Sequence, residues 1–443
     1  MARLRYILSA GLITLMVWTA LPSAFANPAR RPAKRRAAPP VSAAVRQKAI
    51  AQIEQWLAQP AEGTLENPAA LVPFYELLHR QQEGEREGPL RILHYGDSHT
   101  AADEWTGALR VLFQERFGDG GAGFSYAGRP WAGYRRFDVK SGTTKGWNSD
   151  GVVSRKGDGY HGLGGASITT TLAGESVSLE AECEWLEIFY LRQPGGGTLE
   201  LLDHGEPVAG ISTDGDLGPG YYEIQVEPGL HRFELRTLDR APVRLFGWVA
   251  EKERGVTYET LGINGAQASL GLHWNEEIFA SNLARRDPAM VVLAYGTNEA
   301  GNRDWTPESY RESYTELIRR LREAAPAATI LVVGPPDRYV RTRNGWVVMN
   351  SIDWVVEAQR LAALANGCAF WDQRTKMGGK GSMRRWVLAG FAQADHVHLT
   401  RAGYRRIGEA LFRDLMEFYA IFEQVRAESM PARNANGQAR EDH

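Results

Sequence analysis

Over residues 134–253 the hydrophobic pattern of this chain switches from a helical to an alternating period, while on both sides helices alternate with short apolar strands. Few architectures accommodate that order. It predicts a mainly parallel sheet covered by helices on both faces, a three-layer α/β/α sandwich, interrupted in sequence by an all-β module. Inside the alternating stretch six runs read as strands, at 176–182, 185–192, 198–203, 221–226, 231–238 and 243–249. Turn signals such as Pro194-Gly195-Gly196-Gly197 and Pro228-Gly229 separate them, so the insert is expected to be a β-sandwich of jelly-roll kind.

The flanks supply the parallel sheet. Residues 91–95 read as a short strand ending at Gly96, and 100–117 follow as an amphipathic helix with Trp105, Leu109, Leu112 and Phe113 inward, stopped by Gly118. After the insert come strand 290–295, helix 307–325, strand 329–333, helix 352–366, strand 369–371 and a closing helix 401–419. Apolar residues spaced three and four apart over 42–80 predict a helical collar packed on this domain. The expected division is 1–26 signal peptide, 27–45 basic Pro/Ala-rich linker, 46–85 collar, 86–135 with 256–425 main domain, 136–255 insert and 426–443 disordered tail. No internal repeat of about 20–50 residues is visible.

The start of the chain reads as an export signal: Arg3 and Arg5, an apolar run over 6–21, then the small-residue site Ala24-Phe25-Ala26. Cleavage after Ala26 and a periplasmic or otherwise exported location are expected; left uncut, the run would serve as an N-terminal membrane anchor. Nine Lys and Arg precede the first acidic residue, Glu54. Without those nine, 42 basic residues face 53 acidic ones, so the body is anionic and nucleic acid is not an expected partner. Five of the nine lie in 30–36, a tether that could touch anionic envelope polymers or membrane or simply stay solvated. Two cysteines, Cys183 and Cys368, far apart and in apolar surroundings, argue for buried free thiols and not a disulfide framework.

Four short motifs fall at or near the carboxyl ends of the expected strands, where sites lie in such sheets. In Gly96-Asp97-Ser98-His99, a serine at a strand-to-helix turn has an exposed hydroxyl and a backbone N–H at a positive helix start; a serine there is equally suited to cap the helix. In Asp395-His396-Val397-His398, Asp395 can meet the Nδ1–H of His398 and leave Nε2 free to take a serine proton, or can merely cap the following helix. Gly262-Ile263-Asn264-Gly265 and Gly296-Thr297-Asn298-Glu299 place the Asn298 amide and the N–H groups of Gly265 and Ser98 where an oxyanion hole needs donors, although Gly-Thr-Asn is also ordinary turn chemistry.

Together, and in this order, the motifs resemble the blocks of the SGNH hydrolases, with the signature Ser, Gly, Asn and His at 98, 265, 298 and 398. The resemblance covers about 91–140 and 257–419, with His99 in place of the leucine of the GDSL spelling and Glu299 where an Asp often follows the Asn. It implies a flavodoxin-like fold, Ser98 as nucleophile, His398 as base, Asp395 as its orienter, and Ser98, Gly265 and Asn298 as the oxyanion hole. It implies no cofactor and no metal. The export signal, the GDSH block, the β insert and the Gly-rich segment 378–390 are also similar to bacterial peptidoglycan O-acetylesterases, whose insert resembles a carbohydrate-binding module. The expected activity is therefore removal of O-acetyl groups from a cell-envelope polysaccharide, foremost peptidoglycan. The alternatives are another acetylated polysaccharide, acetyl transfer to a sugar hydroxyl, and a glycan-binding protein with an idle site.

No metal constellation is evident, since His161, His204, His231 and His273 lack ligand spacing. The Gly-rich stretches lack the Lys-Ser/Thr that completes a phosphate loop. Trp131, Trp147, Trp305, Trp346 and Trp386 sit in loop-like segments, and Trp386 in particular is expected to stack on a glycan, against the competing use of tryptophan in core packing.

Overall fold

The computed structural model describes residues 41–131, 133–153 and 157–429. The expected signal peptide, most of the basic linker and the end of the expected tail lie outside the described residues. Among the described residues, no helix is long and apolar enough to cross a membrane.

The strand Leu90–Gly96 is buried along its length except at the half-buried Arg91 and sits inside a six-stranded sheet. Its neighbours, Val256–Gly262 and Met290–Ala294, are both parallel to it. Beyond Met290–Ala294 come Thr329–Val333 and Ala369–Trp371, also parallel, and then the two-residue edge strand Leu65–Glu66, which is antiparallel. In chain order the five parallel strands are arranged 2-1-3-4-5, the doubly wound order whose direction reverses between the first and third strands. Alternate residues of each strand feed opposite faces. Leu93, Tyr95, Val291 and Leu293 meet helices Glu276–Arg286, Pro307–Ala324 and Ser351–Ala365, while Leu90, Ile92, Met290 and Val292 meet Glu104–Phe117 and Arg401–Ser429.

The collar differs in detail from its expected form. It is two helices, Ala43–Leu57 capped by the Ser42 hydroxyl and Val72–Gln82, and the segment between them supplies the edge strand. A buried carboxylate anchors it. Asp414 Oδ1 accepts from Lys376 Nζ at 2.7 Å and Oδ2 from Trp371 Nε1 at 2.8 Å and Thr64 Oγ1 at 3.0 Å, while Lys376 also reaches the Gln59 carbonyl at 2.6 Å. Lys376 and Asp414 are fully buried, and they persist there because every polar atom of the pair has a partner.

The insert is a nine-stranded antiparallel sheet built on two long strands, Ser176–Arg192 and Gly218–Thr237. Each takes in two of the shorter strands expected from sequence. Pro228-Gly229 does not turn the chain back; it lies at a register shift between Gln225 and Gly229 that bends the strand while pairing with its partner continues on both sides. Both halves of these strands contribute to one core, with Leu179, Phe233 and Leu235 from one half and Leu186, Ile188 and Trp248 near the other. The sandwich is thus one hydrogen-bonded network folded over its own core and not two separate sheets. It also begins earlier than expected, because Gly121–Tyr126 pairs with Val243–Glu251. Cys183 and Cys368 are buried free thiols, and burial pushes Cys183 up to about 12.

Ion pairs fasten insert to main domain. Arg91 holds Glu251 through two bonds of 2.8 and 2.9 Å, and Arg286 bonds Glu251 at 2.7 Å and also Glu259. Burial alone would raise the Glu251 carboxyl, but the two guanidinium groups outweigh it and hold it down near about 2. Arg285 adds bonds to Glu187 at 2.6 Å and to Glu223.

Candidate active site

The strand Leu90–Gly96 delivers the chain to a tight corner at Gly96. A Cβ there would lie 2.2 Å from Thr100 Oγ1 and 2.7 Å from the Ala294 carbonyl, so only glycine fits. The short helix Ser98–Ala101 follows. Its cap is Asp97, whose side chain accepts from His99 N at 2.9 Å. That settles the two uses open to Ser98: its hydroxyl is not spent on capping, and it lies 3.0 Å from His398 Nε2. The expected single helix 100–117 is broken at Asp103, which takes a left-handed φ of 53° and whose buried carboxylate is held by Arg110 at 2.7 Å and Thr260 at 2.6 Å. This break frees the first turn to present Ser98 independently of the long helix Glu104–Phe117.

His398 lies on the loop before the closing helix. Its Nδ1 donates to Asp395 Oδ2 at 2.8 Å, and Asp395 Oδ1 accepts from the backbone N–H groups of Val397 and His398 at 3.0 and 3.1 Å. Burial opposes ionisation of Asp395, yet these hydrogen bonds outweigh it and hold the carboxyl below its usual range. An acceptor at Nδ1 fixes the tautomer, so the Nε2 lone pair faces Ser98. A carboxylate, an imidazole and a hydroxyl in this order can remove the serine proton as its oxygen attacks an electrophilic carbon.

Asn298 and Gly265 reach the same corner from the ends of the third and second parallel strands. Asn298 Nδ2 donates to the Ala266 carbonyl at 2.8 Å, and its other N–H makes only a long 3.5 Å approach to Asp97 Oδ2, leaving it able to serve a developing oxyanion. Gly265 is exposed with φ +77°, a conformation that turns its peptide at small cost only without a side chain.

Several supporting residues went unread in the sequence. Glu299, fully buried, accepts from Ala268 N at 2.8 Å and from Gly296 N at 3.0 Å, tying the Gly265 loop to the Asn298 loop. Burial pushes its carboxyl up to about 7 and that of Asp97 up to about 6. His99, in place of leucine, packs its ring 5.2 Å from that of His398 and shares a 2.8 Å hydrogen bond with the Tyr404 hydroxyl; burial holds it down at about 3, so it lies neutral against the base. Arg338 Nη1 donates to the Thr297 carbonyl. The only sequence signal for these was adjacency, as with Glu299 directly after Asn298.

Trp386 corrects an expectation. The Gly-rich segment 378–390 contains a helix, Met383–Ala389, whose inner face buries Trp386 completely, with Nε1 donating to the Met377 carbonyl at 3.0 Å. It presents no ring to a ligand. Among the described residues the fold also assembles two groups of ligand-type side chains that linear spacing hides, Asp203 with His204 and His231, and Asp150 with Asp158 and His161. In the first, both His231 nitrogens are engaged, by Asp203 and the Glu227 carbonyl at 2.7 Å each. In the second, Arg244 clamps Asp158 through two 2.7 Å bonds.

The GDSL-like Lipase/Acylhydrolase family profile matches residues 230–406. The match begins within the insert and leaves out the Ser98 block. Among curated proteins no relative matches by sequence. Among solved structures, one described as a peptidoglycan O-acetylesterase in action is similar at 29% identity and a TM-score of 0.70, over 81% of this chain and 99% of that one. A family two carbohydrate esterase from Clostridium thermocellum in complex with cellohexaose aligns at 12% identity over 67% of this chain and 99% of its own, with a TM-score of 0.30, too distant to bear on the site. With the 2-1-3-4-5 sheet, the four motifs and the likeness to the peptidoglycan O-acetylesterase structure, the chain carries a GDSL-like lipase/acylhydrolase domain over residues 230–406 and is similar to the SGNH hydrolases, which are carboxylic ester hydrolases.

Proposed function

We propose that the protein removes O-acetyl groups from a cell-envelope polysaccharide, peptidoglycan first, through an acetyl-Ser98 intermediate. The observation that carries this reading is the relay from Asp395 through His398 to Ser98, set at the reversal point of the sheet. The substrate class is supported by the similarity to a peptidoglycan O-acetylesterase, which extends over nearly all of that chain.

In the proposed reaction His398 takes the Ser98 proton as Oγ attacks the acetyl carbonyl. The N–H groups of Ser98, Gly265 and Asn298 hold the oxyanion, each donor contributing about 3 kcal/mol. Collapse expels the sugar oxygen, which His398 protonates, and water then repeats the sequence to release acetate. The test compares acetate release by the protein and its Ser98→Ala variant on O-acetylated peptidoglycan, acetylated xylan and a chromogenic acetyl ester. Serine-dependent release fastest on peptidoglycan supports the proposal; release confined to the others moves the substrate, acetylated glycan in place of acetate makes the protein a transferase, and no serine-dependent product leaves a glycan-binding protein.

The insert is proposed to bind glycan, and residues 1–26 to direct export with cleavage after Ala26, leaving the basic segment 30–36 near anionic envelope polymers. Amino-terminal sequencing of the exported protein checks the cleavage. Pull-down of the Ser98→Ala protein on insoluble peptidoglycan, with and without substitutions on the insert surface, checks the binding.

A further inference from the structure

Against the loop that carries Asp395 and His398 lies a cavity of about 350 Å³ that the proposed chemistry does not use. Its walls are Tyr339 and Trp346 from the hairpin Tyr339–Thr342 with Gly345–Val348, Arg384, Val387 and Leu388 from the helix Met383–Ala389, and His396 from the loop that carries the relay. The hairpin is tied to both active-site loops. Tyr339 N donates to the His396 carbonyl at 3.2 Å, and the preceding Arg338 bonds the Thr297 carbonyl next to Asn298.

Two features of this cavity point to a ligand. Trp346 is exposed, at 38%, and its ring leans on that of His396, with centroids 4.5 Å apart and an angle of 32°, so the pair presents an aromatic surface to solvent. Of the five tryptophans in loop-like segments it alone is exposed. Such a wall matches the apolar face of a pyranose ring. The second feature is charge: Arg384 lines the cavity, Arg341 stands 5.8 Å over the Trp346 ring, and Arg343 and Arg385 lie on the same hairpin and helix. Among the described residues none of these four is paired with a carboxylate. An unpaired cationic cluster on a protein of net charge −2 is selective for an anionic partner.

We propose that this cavity is a substrate subsite for a sugar residue bearing a carboxylate, the ring seated on Trp346 and His396 and the carboxylate held by Arg384. The proposal rests on the esterase reading and narrows it: the acetylated glycan is anionic, as peptidoglycan is through its stem-peptide carboxylates and through the lactyl carboxylates of muramic residues that carry no stem, and is gripped beside the scissile ester.

Trp346→Ala and Arg384→Gln are compared with the parent protein on three substrates: O-acetylated peptidoglycan, the same polymer after carbodiimide-mediated amidation of its carboxylates, and a small chromogenic acetyl ester. On native polymer each variant is expected to raise KM about tenfold, the loss typical of a hydrogen bond to a charged group or a stacked ring, with kcat within about twofold. On amidated polymer the parent and Arg384→Gln should be equally weak, and all three proteins should act alike on the small ester. Trp346→Phe should restore most of the loss. Unchanged KM on native polymer in both folded variants, or equal parent activity on native and amidated polymer, overturns the proposal. Binding of acetyl-free peptidoglycan fragments to the Ser98→Ala protein, with and without Arg384→Gln, separates the two readings. Loss of binding with arginine replacement upholds the subsite even where Ser98 proves idle, and equal binding overturns it even where Ser98 is essential.

Discussion

Asp395 acts on the substrate only through His398, so its removal separates orientation from chemistry. Asp395→Asn keeps the size of the side chain but offers an N–H where His398 needs an acceptor, favouring the wrong tautomer; kcat is expected to fall by about 10⁴ with Tm little changed. Steady-state kinetics on the chromogenic ester checks it, and a fall below tenfold would mean that Asp395 does not orient His398. Glu299 bears on the same reaction from behind. With its carboxyl raised to about 7 against an ordinary 4.5, the stability it contributes is complete below pH 4.5 and is lost as pH rises through 7. Glu299→Gln removes that titration, so the Tm difference between parent and variant should shift in the variant's favour between about pH 5 and pH 8. Parallel Tm curves would show that Glu299 keeps one protonation state. The variant should also lose kcat, because an amide cannot accept from both Ala268 N and Gly296 N. Ser98 and Asn298 were legible because each stands in a motif at a strand end, and His398 because its motif stands directly before the closing helix. Glu299, His99 and Arg338 were not, because their roles come from burial and from loops distant in sequence.

At the level of elements, period and turn chemistry located four of the five parallel strands, Met290–Ala294 and Thr329–Val333 being continuous apolar runs, but not Val256–Gly262, where Thr257, Glu259 and Thr260 interrupt the pattern, nor the helix Glu276–Arg286. They failed where tertiary contacts override local signals. Pro228-Gly229 reads as a turn but bends a strand held by partners on either side, and Asp103 interrupts an amphipathic run because Arg110 and Thr260 capture its carboxylate. Trp386 sits in a Gly-rich segment yet faces inward once residues 383–389 wind into a helix. The collar depends on one carboxylate. Asp414→Ala leaves the Lys376 ammonium buried without its counter-charge and should cost about 3–5 kcal/mol, read as a drop in the denaturation midpoint. A loss under about 1 kcal/mol would mean that water reaches Lys376 and the collar is loosely held.

For the molecule as a whole, the insert and main domain share a hydrophobic core as well as the Arg91, Arg286, Glu251 and Glu259 cluster. They should therefore unfold together, as a single calorimetric transition whose van't Hoff and calorimetric enthalpies agree; two resolved transitions would make the insert an independent unit. Because Glu251 is held near about 2, its contribution is present above pH 4.5 and is lost as pH falls toward 2, so acid should loosen this junction. The insert has a further effect through its place in the chain. The strand leading to Ser98 has its parallel neighbours only after residue 256, and His398 follows Ser98 by 300 positions. A ribosome has therefore emitted the nucleophile long before it makes the base, and contacts of such long range form late and slowly. A chain that ends before residue 398 lacks the base of the relay, so the nucleophile waits on the closing segment before it can cut an ester.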